Sequence, residues 1–555
     1  MNCSPGRRGR RCGKLLLIPL LPILLFLVAP APAQPVFGWA RTATGIETDT
    51  CNGIAADHAG NIYAVGDFDS ATLDFGGKLL TNSDPTGANG TAFIAKYDDH
   101  GQLLWAMQLA AGDRDATARR VGVDARGQIY VLGEFHSAKA RFGDFVLTNS
   151  DPNPVSHTAE VFLAKYSNRG KVLWARQTSG IYDESGRGLA VTDEGNVYVS
   201  GYFDSPTVRL GDVVLTNSGD SDYEDSFVAK YDSEGRLLWA RQAGGSYNDT
   251  ALGAAADSQG NCWVTGGFAS PDLKFGHLLL ETDQGKRVFV AKYNPAGEVQ
   301  WAAKAGGNGF DTGLAIAADK EGNAYVSGYF TSGIAAFDAL TLTNSSPGRR
   351  DLFVAKYDRS GRVLWVRSAG GALEEEAWDV VADGSGGVYA TGCFNSPTAD
   401  FGGTVLTNRN PAGDTALFVA KYDEAGRLVW AISPESRGAT VGNALCADMS
   451  GRVYVAGCYS QAISFGDMSL TNSGWEDIFL AAVETDLPRI EVAREDNTFY
   501  LSWPANRAGV LLEEARNLRP ESWSHPGQLP AIADGRWVFT GELLDNSRFF
   551  RLHKP

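Results

Sequence analysis

Apolar and polar positions alternate in short runs along most of the chain, and the runs are cut by glycine too often to be helices. The segment 227–245, FVAKYDSEGRLLWARQAGG, shows the pattern plainly. Phe227, Val228, Ala229 and Tyr231, then Leu237, Leu238 and Trp239, predict two strands. Asp232, Ser233, Glu234 and Gly235 between them predict a tight turn, and the whole a β-hairpin.

The hairpin recurs. Trp39, Trp105, Trp174, Trp239, Trp301, Trp365 and Trp430 occupy equivalent strands, spaced 62 to 69 residues apart. After each comes a second hairpin, such as LAVTDEGNVYVSGYF from Leu189. Its turn carries Asp57, Asp124, Asp257, Asp319, Asp383 or Asp448 three residues before a glycine, with Thr192 in the third copy. Asp can accept a backbone N–H two residues on, and glycine tolerates positive φ. A third element, FG-x-x-x-LTN, as at Phe142-Gly143 and Leu147-Thr148-Asn149, separates this hairpin from the next FVAKY strand. A fixed period changes what every other residue means, and four strands per period repeated seven times predicts an all-β, seven-bladed β-propeller. The ends fit a closed ring. Trp39 has no FVAKY strand before it, and the degenerate copy from Phe479 has no Trp strand after it, so the N-terminal strand is expected to complete the last blade and remove the exposed edge.

The GNVYVSGYF and FVAKYDxxGxLLWAR units resemble the bacterial seven-bladed β-propeller repeat family, SBBP, over 35–486. That resemblance implies a secreted or surface-associated propeller and carries no catalytic residues. Beyond Asp486 the period stops. IEVARED, TFYLSWPA, GVLLEEA, RWVFTGEL and RFFRLHKP predict a small β-sandwich-like domain, which resembles short C-terminal β modules of exported bacterial proteins. The expected organisation is a signal peptide over 1–33, a propeller over 34–486 and a C-terminal β domain over 487–555.

The signal peptide reading rests on Arg7, Arg8, Arg10, Arg11 and Lys14, an apolar run from Leu15, and Ala31-Pro32-Ala33 as a small-residue cleavage pattern. Cleavage there would leave no integral membrane span and would locate the protein outside the cell, at its surface or in the periplasm. It would also move the formal charge from -16 to -21, because five positive charges and no acids are removed (-16 - 5). Such a charge argues against nucleic acid as a partner. Five cysteines would remain, an odd number with no metal-ligand spacing, expected to pack as small apolar residues.

Repetition also sorts the chemistry, since a residue present in every blade is architectural and one present in a single blade is a candidate for function. The tryptophans are expected as packing anchors. The AKY lysines, Lys96, Lys165, Lys230, Lys292, Lys356 and Lys421, are expected to lay their stems on a neighbouring blade with the ammonium wet or paired. The loops before the innermost strands carry Asp49, Asp115, Asp183, Asp249, Asp311 and Glu375, with Thr440 as the exception. These acids are expected to ring one mouth of the channel, on the face that also bears the FG-x-x-x-LTN loops. Convergent carboxylates would require a cation, and oxygen-only ligands favour Ca²⁺; splayed acids would serve loop capping and solubility instead. The blade-specific clusters are Arg119-Arg120, Tyr182-Asp183-Glu184, Tyr223-Glu224-Asp225, Glu374-Glu375-Glu376-Trp378 and Trp475-Glu476-Asp477. Scattered histidines, and the lack of a nucleophile elbow, P-loop or dinucleotide fingerprint, leave no catalytic assignment. The expected function is a monomeric, non-enzymatic binding protein whose loop-rich acidic face takes a protein or carbohydrate ligand. The alternative is an extracellular carbohydrate-active hydrolase or lyase using carboxylates on that face.

Overall fold

The computed structural model describes residues 35–553, apart from 85–88, 111, 113–114, 152–157, 220–222, 283–284, 411–412, 485–490 and several short stretches beyond 495. The signal segment and the domain boundary at 486 lie outside the described residues. Among those described there is no helix long and apolar enough to cross a membrane.

Each period folds as a four-stranded antiparallel meander. The third is typical: Glu184–Val191, Val197–Phe203, Asp225–Tyr231 and Leu237–Gly244, paired in that order. Equivalent meanders begin at Asp49, Ala116, Asp249, Asp311 and Glu375. The remaining one joins the chain ends. Thr440–Ala447, Val453–Tyr459 and Asp477–Glu484 are completed by the N-terminal strand Val36–Ala43, with Trp39 opposite Ala482 and Ala43 opposite Ile478. The first strand of each meander packs against the first strand of the next, and that of the last packs against that of the first. Each is also hooked to its predecessor by its leading N–H, which bonds a carbonyl just before the preceding meander's third strand. Asp49 to Glu476, Asp249 to Glu224 and Glu375 to Arg350 are examples, at 3.0, 2.7 and 2.7 Å.

The turns form as their residues dictate. Asp57 Oδ1 accepts the N–H groups of Ala59 and Asn61 at 2.9 Å, and Gly60 takes φ +83°. In the outer hairpins glycine has a second duty. Gly297 sits at φ +78°, and a Cβ there would lie 2.6 Å from the Trp239 ring of the preceding meander, whose Nε1 donates to Pro295 O at 3.0 Å. Trp39, Trp174, Trp301 and Trp365 make the same contact with Gly101, Gly235, Gly361 and Gly426. The tryptophans are therefore packing anchors between meanders, as expected.

The lysines depart in part from expectation. All but the half-buried Lys421 are buried, and most turn to their own meander: Lys96, Lys292, Lys356 and Lys421 lie 3.5–3.8 Å from Asp57, Asp257, Asp319 and Asp383, above a Tyr or Trp ring. Lys230, whose meander has Thr192 in place of the acid, reaches instead to Pro295 O of the next at 3.4 Å. The five cysteines Cys51, Cys262, Cys393, Cys446 and Cys458 are buried and free.

Beyond residue 490, Glu491–Glu495, Thr498–Pro504, Arg536–Glu542 and Ala531–Ala533 form one antiparallel sheet, and Leu511–Ala515 pairs with Phe549–His553. Phe499, Leu501, Trp503, Leu512 and Phe539 supply a core that draws on both sheets.

Candidate functional site

The six acids of the expected ring fall into two groups. Asp49, Asp249, Asp311 and Glu375 open the innermost strands but are fully buried. Three of them hold the hydroxyl of a serine 21 residues on, Ser70, Ser270 and Ser332, at 2.8, 2.7 and 2.6 Å, and Glu375 accepts the Ser396 N–H at 3.4 Å. They are structural clamps, and the expectation that they ring the mouth as ligands is corrected. The register differs by one residue in the other two copies. In the second meander Ala116 takes the clamp position, and in the third Glu184 takes it with Ser205, which leaves Asp115 and Asp183 toward solvent. Asp115 and Asp183 cap backbone N–H groups instead, at Gly90 and Ala159, 2.6 and 2.7 Å away. The signal for the clamp was the serine two residues after the second strand, repeated in six copies and replaced by Gln461, at φ +62°, in the seventh.

Burial pushes the carboxyls of Asp49, Asp249 and Glu375 up to about 7, and that of Glu184 up to about 9. At four junctions the clamp acid faces a second buried acid from the preceding meander: Asp477 near Asp49, Glu160 near Glu184, Asp225 near Asp249 and Asp351 near Glu375. Among the described residues, the one acidic or imidazole group spaced for a metal ion is Asp98, Asp99 and His100, on an outer hairpin turn. The ring acids do not gather for a cation.

What the meanders do not share lies one turn deeper. Every innermost strand has one extra residue, marked by a shift in register against its partner: Asn52, Arg119, Arg187, Leu252, Leu314, Trp378 and Asn443. A bulge frees its side chain from the pleat and re-aims it. All seven are half-buried or exposed between mostly buried neighbours, and no residue type there dominates. The second variable position is the residue before the final aromatic of the second strand, Asp67, Glu134, Tyr202, Gly267, Tyr329, Cys393 or Cys458.

These positions interact. Asn52 Nδ2 donates to Asp67 at 2.7 Å, and Arg187 to the Tyr202 hydroxyl at 2.9 Å. Arg119 lies 2.9 Å from Glu134, which Ser185 also contacts. Although burial opposes its ionisation, Arg119 and Arg187 hold Glu134 below its ordinary value. Arg120 of the second meander and Asp379 of the sixth interact electrostatically. Outside this polar layer stand large exposed side chains on the loops at the same strand ends, Trp475 (73% exposed), Phe310 (66%), Tyr247 and Tyr182, together with the bulge residue Trp378. A cavity of about 400 Å³ opens beside Phe310, lined also by Lys286, Tyr329, Thr331, Arg350 and Glu374. Arg119, Tyr182, Trp378 and Trp475 were legible as blade-specific oddities, whereas Arg187, Lys286, Phe310, Tyr329 and Arg350 were not. Their signal was variation at fixed repeat positions.

No family model matches the chain. Over 438 residues it is 23% identical to the WD repeat-containing protein L264 of Acanthamoeba polyphaga mimivirus, covering 67% of this chain and 31% of that protein. Over 185 residues it is 32% identical to the regulatory protein FlaEY of Caulobacter vibrioides, covering 33% and 19% respectively. The chain thus spans less than a third of the length of either relative. Among solved structures it resembles Sqt1 from Chaetomium thermophilum, with a TM-score of 0.37 and 10% identity over 82% of this chain and 100% of that one. The XC5397 gluconolactonase from Xanthomonas campestris gives 0.32 and 11% over 81% and 95%.

Proposed function

We propose that the chain is a secreted or cell-surface seven-bladed propeller of SBBP type, followed by a C-terminal β domain, and that it is a monomeric, non-enzymatic binding protein. Its ligand, a protein or carbohydrate, is taken at the mouth where the innermost strands begin. The observation that carries this reading is the set of seven bulges, each at a position where the innermost strands differ, on strands that contact one another in a closed order. The blade count is supported by seven meanders whose first strands contact one another in a closed order, the last completed by Val36–Ala43.

The second reading, a hydrolase or lyase, is favoured by Asp67, whose carboxyl burial pushes up to about 6 beside Asp69 and Asp115. Ca²⁺ is the cofactor this reading admits, and an unchanged melting temperature after chelation removes it. A polysaccharide array read for both retention and product release separates the readings. Retention without release is expected. Release abolished by Asp67→Asn overturns the binding reading in favour of the enzyme.

A further inference from the structure

The cavity between the fourth, fifth and sixth meanders has a charge arrangement of its own. Lys286 is held just before a third strand, and its Nζ donates to Thr250 Oγ1 at 3.3 Å. Among the described residues it has no carboxylate at ion-pair distance. Burial lowers its pKa against the opposing pull of Glu224 and Asp249. Arg350 meets Glu376 and lies over the Tyr329 ring at 4.6 Å, which fixes the guanidinium plane at the cavity wall. Phe310 is two-thirds exposed, and its backbone N–H is pinned to Thr331 Oγ1 at 2.6 Å, so the ring is presented by a held loop. Glu374, 3.4 Å from Arg349, supplies an acceptor at the rim.

We infer that this cavity takes a uronic acid residue of an acidic saccharide, with the carboxylate between Lys286 and Arg350, the apolar face of the sugar on Phe310, and hydroxyls donating to Glu374. The inference rests on the mouth being the ligand-binding face and names the ligand class. Two cationic groups, one lacking an acid partner, select an anion. An exposed aromatic ring beside them selects a ligand with a flat apolar face. The carboxylates of Glu374 and Glu376 disfavour a dianion such as a phosphate monoester and reward hydroxyl donors. A volume of about 400 Å³ is in the range of small-molecule sites.

Calorimetry with α-1,4-digalacturonate, the neutral digalactoside of the same linkage, free galacturonate and galactose 6-phosphate tests it. The full chain should bind digalacturonate at least about tenfold more tightly than the neutral disaccharide. Lys286→Met should remove that preference with the melting temperature unchanged, and Phe310→Ala should weaken both disaccharides. Equal binding of acidic and neutral disaccharides, or no effect of Lys286→Met, overturns the inference. Galactose 6-phosphate binding more tightly than free galacturonate overturns the uronate assignment. The broader reading fails separately: loss of uronate preference with neutral polysaccharides still retained at the mouth leaves it standing, whereas no retention of any ligand removes both.

Discussion

At the scale of single residues, the repeat makes its own controls. Gly297 and Gly402 both hold positive φ, at +78° and +81°, but only Gly297 lies against an indole, while a Cβ at Gly402 would meet nothing within 4 Å. Gly402→Ala is therefore expected to cost about 1 kcal/mol from the backbone alone. Gly297→Ala should cost roughly 2 kcal/mol more, because Trp239 must move. Chemical denaturation of the two variants checks this, and equal costs contradict the packing role. The lysines offer a second pair. Lys292→Met leaves the buried Asp257 carboxylate without its cation and should cost about 3 kcal/mol or more. Lys230→Met, in the meander where Thr192 replaces the acid, should cost much less in the same assay.

At the scale of elements, the meander junctions carry the pH dependence. Asp49, Asp249, Glu160 and Glu375 are pushed up to about 7, and Glu184 to about 9, chiefly by burial. A carboxyl raised in the folded state binds its proton more tightly there than in the unfolded chain. The stability it contributes is full below the ordinary carboxyl range and is lost as pH rises through its folded value. Half-buried turn acids held below the ordinary range, such as Asp232 and Asp423, act in the opposite sense but are shifted less and lie near water. The melting temperature should therefore fall from pH 5 to pH 9, and Asp249→Asn should flatten the slope. A rise over that interval contradicts the assignment. The strands and turns were legible in the sequence because their signals are local: alternation, Asp and Gly at fixed offsets, Trp at a fixed period. The clamp acids were visible as acids, but their burial depends on serines 21 residues away, and a shift of one residue separates Asp183 from Glu184. The bulges were hidden for the same reason, since an extra residue in a strand shows only against its partner.

At the scale of the whole molecule, closure rests on one strand. Val36–Ala43 covers Asp477–Glu484, whose N–H and C=O groups would otherwise form an open edge. Ala40→Pro, opposite Ala481, should lower the melting temperature and promote self-association on size exclusion, whereas a monomer of unchanged stability would contradict closure by this strand. The proposed function resides where the meanders differ and not in what they share. The most direct measurement is retention on a polysaccharide array for the wild type, a mouth variant with Arg187→Met and Trp378→Ala, and an outer-turn variant, Arg236→Ala, all folded by thermal melt. The mouth variant should lose retention by about tenfold or more while the outer-turn variant matches the wild type. Retention kept by the mouth variant and lost by the outer-turn variant would contradict that location.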